Sequence, residues 1–138
     1  MADDPRSRAS GEPAPAAFHP PLEIGADDLI TLLARPAAPV LVDVRTLAER
    51  HVAQIAPSMH IPMDQLAARL DEIGELDDPI VVYCHLGQRS LFATLFLREQ
   101  GFTDVRSLAG GIDAWEKVCR LRAASSGDST GSSPDRAT

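Results

Sequence analysis

The segment from Cys84 to Arg89 holds the residues best suited to chemistry. It reads Cys-His-Leu-Gly-Gln-Arg, follows an apolar run at 80–83, and precedes a helical pattern that begins at Ser90. A loop between a buried strand and a helix directs backbone N–H groups and the positive helix end at the sulfur, which favours thiolate over thiol. The segment therefore predicts that Cys84 is a nucleophile, with a buried cysteine that merely ends a strand as the structural alternative.

The remaining loop residues are predicted to shape the site and bind a substrate. Gly87 supplies the positive φ that tightens such a loop. Arg89 offers a fork of donors suited to an oxyanion, although a surface or structural role for this arginine stays open. His85 is expected to face substrate or solvent and not to act as a general base. The predicted substrate-binding residues are His85, Leu86, Gly87, Gln88, Arg89 and Ser90.

Alternating patterns predict the elements that must position this loop. Continuous apolar runs at 40–44 and 80–83 are typical of strands covered on both faces, and Val105 marks another short strand. Helical patterns lie between and beyond these runs, at about 27–34, 64–76, 90–100 and from 111 onward. Strands that alternate with helices indicate a parallel α/β sheet, whose strand order the pattern does not specify.

Helical spacing also predicts which side chains are buried. For the helix at 64–76 they are Leu66, Leu70 and Ile73. For the helix after Ser90, which should end at Gly101, they are Leu91, Phe92, Leu95 and Phe96. For the last helix they are Ile112, Trp115 and Val118.

Composition limits the folded unit and its partners. The 138 residues carry a formal net charge of −7, which argues against nucleic acid and anionic membranes as partners. Residues 1–20 are rich in Pro, Ala and Ser, and residues 123–138 are rich in Ser and Gly without periodicity. Both segments are predicted to be disordered, which leaves one domain at 21–122.

Three kinds of sequence feature are missing: a membrane span, a signal peptide and metal-ligand spacing. No apolar run reaches the length of a membrane span and the N-terminus lacks a signal-peptide layout, so we expect a cytoplasmic protein. Cys84 and Cys119 are expected to be free thiols, with Cys119 a half-buried apolar residue and not a resolving thiol. His51 and His60 show no metal-ligand spacing, so no metal site is predicted.

Three segments in this order resemble the single-domain rhodaneses, a family of sulfurtransferases. They are residues 41–45 with Glu49 four residues on, residues 84–90, and residues 108–115. The resemblance covers about residues 21–122, and it implies a five-stranded parallel sheet flanked by helices on both faces.

The same resemblance implies roles for individual residues. Cys84 would accept a sulfane sulfur and become a persulfide, with no metal or organic cofactor. Asp43, Arg45 and Glu49 would give structural support behind the site. Residues 53–58 depart from the family's Gly-His-Ile-Pro-Gly-Ala pattern and read Ala-Gln-Ile-Ala-Pro-Ser, which leaves the local turn open.

The expected function is a sulfurtransferase that works by double displacement. Its donor would be a small molecule such as thiosulfate, its acceptor cyanide or a cellular thiol, and a sulfur-relay protein would be a further partner. One alternative is a non-catalytic binding or carrier module of the same fold. Another is a cysteine phosphatase or arsenate reductase, but phosphatases of similar fold have a loop one residue longer than the stretch from Cys84 to Arg89.

Overall fold

The structure, a computed structural model, describes residues 21–130 and is built on a five-stranded sheet. The strands lie in the order β1-β5-β4-β2-β3, and all their pairings are parallel. They are β1 (Glu23–Ile24), β2 (Val40–Asp43), β3 (Met59–His60), β4 (Ile80–Tyr83) and β5 (Val105–Leu108). The predicted parallel α/β fold is confirmed.

Helices cover both faces of this sheet. They are α1 (Ala26–Leu33), α2 (Leu47–Val52), α3 (Gln88–Glu99) and α4 (Gly111–Thr130). Side chains of α1 and α4 join one buried cluster, and side chains of α3 join the cluster on the opposite face. The helices on both faces that the resemblance implied are therefore present.

Strand β4 shows why its sequence is apolar throughout. Ile80 and Val82 lie in the cluster on the α3 face, whereas Val81 and Tyr83 lie in the cluster on the α1 and α4 face. Successive side chains of a strand point to opposite faces, so a strand buried on both sides carries no polar alternation. The same alternation places Cys84, the next residue, on the α3 face.

The prediction of a single α-helix at 64–76 is wrong. Two 3₁₀ segments, Met63–Gln65 and Ala67–Glu72, occupy this region, and the backbone of Arg69 is non-helical with φ −122° and ψ 25°. Leu66 and Ile73 are nevertheless buried as predicted. Burial requires only that both side chains reach the sheet, so the apolar spacing identified the buried residues without identifying the backbone conformation.

The predicted buried face of α3 is wrong for Phe92 and Leu95, whereas Leu91 is half-buried and Phe96 packs against the core. Phe92 is 70% exposed and Leu95 is 43% exposed. The buried residues of this helix are Ser90, Ala93, Thr94 and Leu97. Small side chains on this face let the helix approach the sheet closely, and at its start the N–H of Ser90 donates to the sulfur of Cys84. The predicted end of the helix is confirmed, because Gly101 follows the cap with φ 105°.

The last helix is longer than predicted. Helix α4 continues to Thr130, so residues 123–130, which were predicted to be tail, are helical. The extension begins with two alanines, which are strong helix formers, so the helix continues past residue 122. The predicted disordered arm at 1–20, and the rest of the predicted tail at 131–138, lie outside the described residues.

Over residues 21–130, none of the helices combines the length and the apolarity needed to cross a membrane.

Candidate active site

The cysteine loop lies at the carboxyl end of β4, which is flanked by β2 and β5. In open parallel sheets this edge is where ligands bind. Cys84 follows the last residue of β4, and Gly87 caps α3 with φ 106°, a conformation that favours glycine. The strand, loop and helix predicted around Cys84 are all present.

The sulfur of Cys84 is held by donors from the start of α3. Its Sγ accepts hydrogen bonds from the backbone N–H of Gly87 at 3.1 Å and of Ser90 at 3.3 Å. Burial raises the pKa of the thiol, because Cys84 is only 1% exposed. The bonds from Ser90 and Gly87, together with the charge of Arg89, outweigh burial and hold the pKa below its usual value.

Five of the six predicted substrate-binding residues, all except Arg89, divide into two groups. Gly87 and Ser90 are buried and contact the sulfur. His85, Leu86 and Gln88 are exposed at the rim of the loop. The exposed residues of the rim can therefore contact a substrate, whereas the two buried residues contact the sulfur itself.

Arg89 is held by a carboxylate across the mouth of the site. Its two terminal nitrogens each donate to one oxygen of Glu49 at 2.8 Å. The bond from Arg89 is the main reason that the pKa of Glu49 falls to about 2. The sequence analysis gave Arg89 a substrate-binding role and Glu49 a supporting role behind the site, and it did not anticipate that they pair.

Helix α2, which the sequence analysis did not predict, positions Glu49. Thr46 and Glu49 form a capping box, in which each side chain bonds the other residue's backbone N–H. The signal was present in the sequence as Thr-Leu-Ala-Glu at 46–49, since Ser or Thr followed by Glu three residues later marks a helix start. The box fixes the carboxylate where Arg89 reaches it.

The predicted support from Asp43 and Arg45 is a buried ion pair at the end of β2. Asp43 is fully buried and accepts bonds of 2.9 Å from Nε and a terminal nitrogen of Arg45, and a bond of 3.2 Å from Arg50. Burial raises the pKa of Asp43, but these bonds outweigh it and lower the pKa. Removing one partner would leave an uncompensated buried charge, so each residue of the pair requires the other.

The divergent segment 53–58 is tied down by side chains that the sequence analysis left unassigned. The hydroxyl of Tyr83 accepts from the N–H of Ile55 at 3.1 Å and lies 3.0 Å from Oγ of Ser58. Arg50 donates to the carbonyl oxygen of Ser58 at 2.8 Å. The turn is therefore anchored to β4 and α2 despite its departure from the family pattern.

The glycine pair at 110–111 brings α4 against the cysteine loop. The N–H of Ile112 donates to the carbonyl oxygen of Cys84 at 2.9 Å, and the N–H of Asp113 donates to that of His85 at 3.2 Å. Both glycines have positive φ, 75° and 62°. The first turn of α4 thereby holds two carbonyl groups of the cysteine loop in place.

A cavity of about 220 Å³ opens beside the loop. It is lined by Arg45, Glu49, Val52, Ala53, His85, Ile112 and Glu116. The charges of Arg45 and Glu49 are balanced by Asp43 and Arg89, and the wall also carries the exposed carboxylate of Glu116. Its size suits a small molecule or a single side chain.

Comparison with known proteins identifies the family. A model described as the rhodanese-like domain matches residues 25–118. A protein named sulfurtransferase from Allochromatium vinosum is 38% identical over 95 residues, which cover 69% of this chain and 88% of that protein. Thiosulfate sulfurtransferase GlpE from Pseudomonas syringae is 38% identical over 81 residues, 59% of this chain and 76% of that protein.

A solved structure agrees with these matches. The human single-domain sulfurtransferase TSTD1 superposes with a TM-score of 0.63 at 28% identity, covering 71% of this chain and 97% of that one. Three other relatives are longer, and this chain spans 18%, 40% and 17% of their lengths. The chain therefore belongs to the rhodanese-like domain family, and its similarity to named sulfurtransferases supports sulfur transfer as its general activity.

Proposed function

We propose that this protein transfers a sulfane sulfur from thiosulfate to a thiophilic acceptor, such as cyanide or a cellular thiol, through a persulfide on Cys84. The observation that carries the proposal is the sulfur at a strand end, held by two backbone N–H donors at the start of a helix. Such donors stabilise an anionic sulfur before and after transfer. The name of the GlpE relative supports thiosulfate as the donor.

The reaction is a double displacement on one nucleophile. The Cys84 thiolate attacks the outer sulfur of thiosulfate, the sulfur–sulfur bond of the donor breaks, and sulfite leaves with the bonding electron pair. The enzyme then carries a Cys84 persulfide. The acceptor attacks the terminal sulfur, so that cyanide leaves as thiocyanate and the Cys84 thiolate is restored.

Partners of the site would approach the exposed rim of the cysteine loop. His85 and Leu86 are exposed there, so an acceptor would reach a persulfide on the buried Cys84 past these side chains. A small thiol could approach in this way, and a sulfur-relay protein would have to present its acceptor group on a projecting segment. The proposal therefore includes two classes of acceptor, a small thiol and a sulfur-relay protein.

The first test is donor loading measured by intact mass. Incubation with thiosulfate is expected to add one sulfur atom per chain, and a reductant or cyanide is expected to remove it. Peptide mapping should find the added sulfur on Cys84 and none on Cys119, which lies on α4 and is partly exposed. A chain that binds thiosulfate but gains no mass would support the non-catalytic binding module instead.

Arg89 is expected to govern the apparent affinity for thiosulfate. Arg89→Ala removes the cation and leaves the carboxylate of Glu49 facing a dianionic donor, so KM for thiosulfate should rise at least about tenfold. Glu49→Gln removes the negative charge and keeps the guanidinium, so KM should fall or stay unchanged. Steady-state kinetics of both variants provide the measurement. A rise of similar size in both would show that the pair has a purely structural role.

A further inference from the structure

The hydroxyl of Ser90 has more hydrogen-bond neighbours than it has protons. Its Oγ lies 3.4 Å from Sγ of Cys84, 3.3 Å from the carbonyl oxygen of Gly87 and 2.7 Å from Oγ of Ser107. A serine hydroxyl donates one bond and accepts two. Its single proton must therefore go to one of these three neighbours at a time.

Ser107, on β5, has the opposite balance. It is fully buried, and among the residues that the structure describes its hydroxyl has one hydrogen-bond partner, Oγ of Ser90. A buried O–H without an acceptor costs free energy, so the favoured arrangement has Ser107 donating to Ser90. The proton of Ser90 is then available to the other two neighbours.

This arrangement satisfies both protonation states of the cysteine. In the thiol state, Cys84 donates to Ser90, and Ser90 donates to the carbonyl oxygen of Gly87. In the thiolate state, Ser90 turns its proton to Sγ, which then has three donors: the N–H of Gly87, the N–H of Ser90 and the hydroxyl of Ser90. Ser107 donates to Ser90 throughout.

We propose that Ser107 is a positioning residue for the nucleophile: by donating to Ser90, it strengthens the hydrogen bond that the Ser90 hydroxyl donates to the sulfur when Cys84 loses its proton. Chains of hydrogen bonds strengthen one another, so the effect of Ser107 reaches a sulfur with which it shares no hydrogen bond. The proposal deepens the proposed function and rests on it, since it concerns the thiolate that attacks the donor.

The charged groups around the sulfur are separate from this hydroxyl pair. Arg89 acts on Cys84 directly and is held by Glu49 of α2, while Asp43 at the end of β2 is paired with Arg45. His85 follows in the loop, Asp113 binds its carbonyl oxygen from α4, and Arg106 alternates to the opposite face of β5 from Ser107. None of these groups bonds the Ser107 hydroxyl, so removing that hydroxyl leaves them in place.

The test is the pH profile of Cys84 alkylation by iodoacetamide, in the full chain with Cys119→Ser as background. Ser107→Ala is expected to move the midpoint upward by roughly 0.1 to 0.3 pH unit, because cooperative strengthening is about 10 to 30% of one hydrogen bond. Thr94→Val is the matched control, because Thr94 is also fully buried and bonds the backbone oxygen of Ser90, not its hydroxyl. The control should leave the midpoint unchanged.

A second pair of variants shows whether the effect passes through Ser90. Ser90→Ala should raise the midpoint by itself, and adding Ser107→Ala to it should raise the midpoint no further. An unchanged midpoint in Ser107→Ala, or a full additional shift in the double variant, would overturn the relay. Donor loading of the wild-type chain is a separate readout: normal persulfide formation with an unshifted Ser107→Ala profile refutes the relay alone, whereas absent persulfide refutes the proposed function.

Discussion

Replacing Cys84 by serine is expected to abolish sulfur transfer while leaving the fold intact. The serine oxygen fits the space of the sulfur, but an alcohol stays protonated at neutral pH and forms no persulfide. Turnover of thiosulfate and cyanide to thiocyanate should fall on the order of 10³-fold or more, as when other enzymes lose their nucleophile. The measurement is the rate of thiocyanate formation, with circular dichroism to verify folding.

Cys119→Ser is the matched control for this substitution. Cys119 is the other free cysteine of the described chain and lies on α4, away from the hydrogen bonds that hold Sγ of Cys84. Its replacement should leave both thiocyanate formation and persulfide loading at the wild-type level. Activity that survives in Cys84→Ser, or is lost in Cys119→Ser, would contradict Cys84 as the sulfur carrier.

Gly111→Ala is expected to damage the site through the backbone. A Cβ at this position would lie 2.3 Å from the carbonyl oxygen of His85 and 2.5 Å from that of Cys84, and the residue has φ +62°. Neither carbonyl can move freely, because Ile112 and Asp113 of α4 donate to them. Strain and overpacking should together cost about 2 to 5 kcal/mol of unfolding free energy.

Chemical denaturation and Cys84 alkylation measure the two consequences of this change. The denaturation midpoint should fall, and in the folded fraction the alkylation midpoint should rise, since a displaced loop no longer aims its N–H groups at the sulfur. Gly25→Ala is the control, because a Cβ there meets no atom within 4 Å and φ is −76°. It should cost within about 1 kcal/mol, as expected at a helix N-cap. Wild-type stability and turnover in Gly111→Ala would refute the close packing of α4 against the loop.

The rotation of α3 links the fold to the chemistry. The helix presents Ser90 and Ala93 to the sheet and leaves Phe92 exposed, contrary to what its apolar residues predict. The observed face places Ser90 at the sulfur, where its N–H donates to Sγ and its hydroxyl accepts from Sγ. In this helix the contacts of Cys84 are therefore made while a large apolar side chain, Phe92, stays exposed.

Local features of this chain were predictable from its sequence for physical reasons. A strand buried on both faces has to be apolar throughout, so β2 and β4 were recognisable as short apolar runs. A loop that needs positive φ favours glycine, and the prediction at Gly87 is confirmed by its φ of 106°. The cysteine at a strand end, before a helix, followed from the order of these elements along the chain.

The tertiary structure decided what depends on residues that are distant in sequence. Arg89 and Glu49 are 40 residues apart, and Ser90 and Ser107 are 17 apart, so no local period or motif relates either pair. The strand order β1-β5-β4-β2-β3 brings β5 beside β4, and with it Ser107 beside the cysteine loop. The sequence by itself indicated Cys84 as the candidate sulfur carrier, because that prediction depends on neighbours along the chain. The partners of its loop were decided by packing, because hydrogen bonds and ion pairs form between whatever groups the folded sheet and helices bring together.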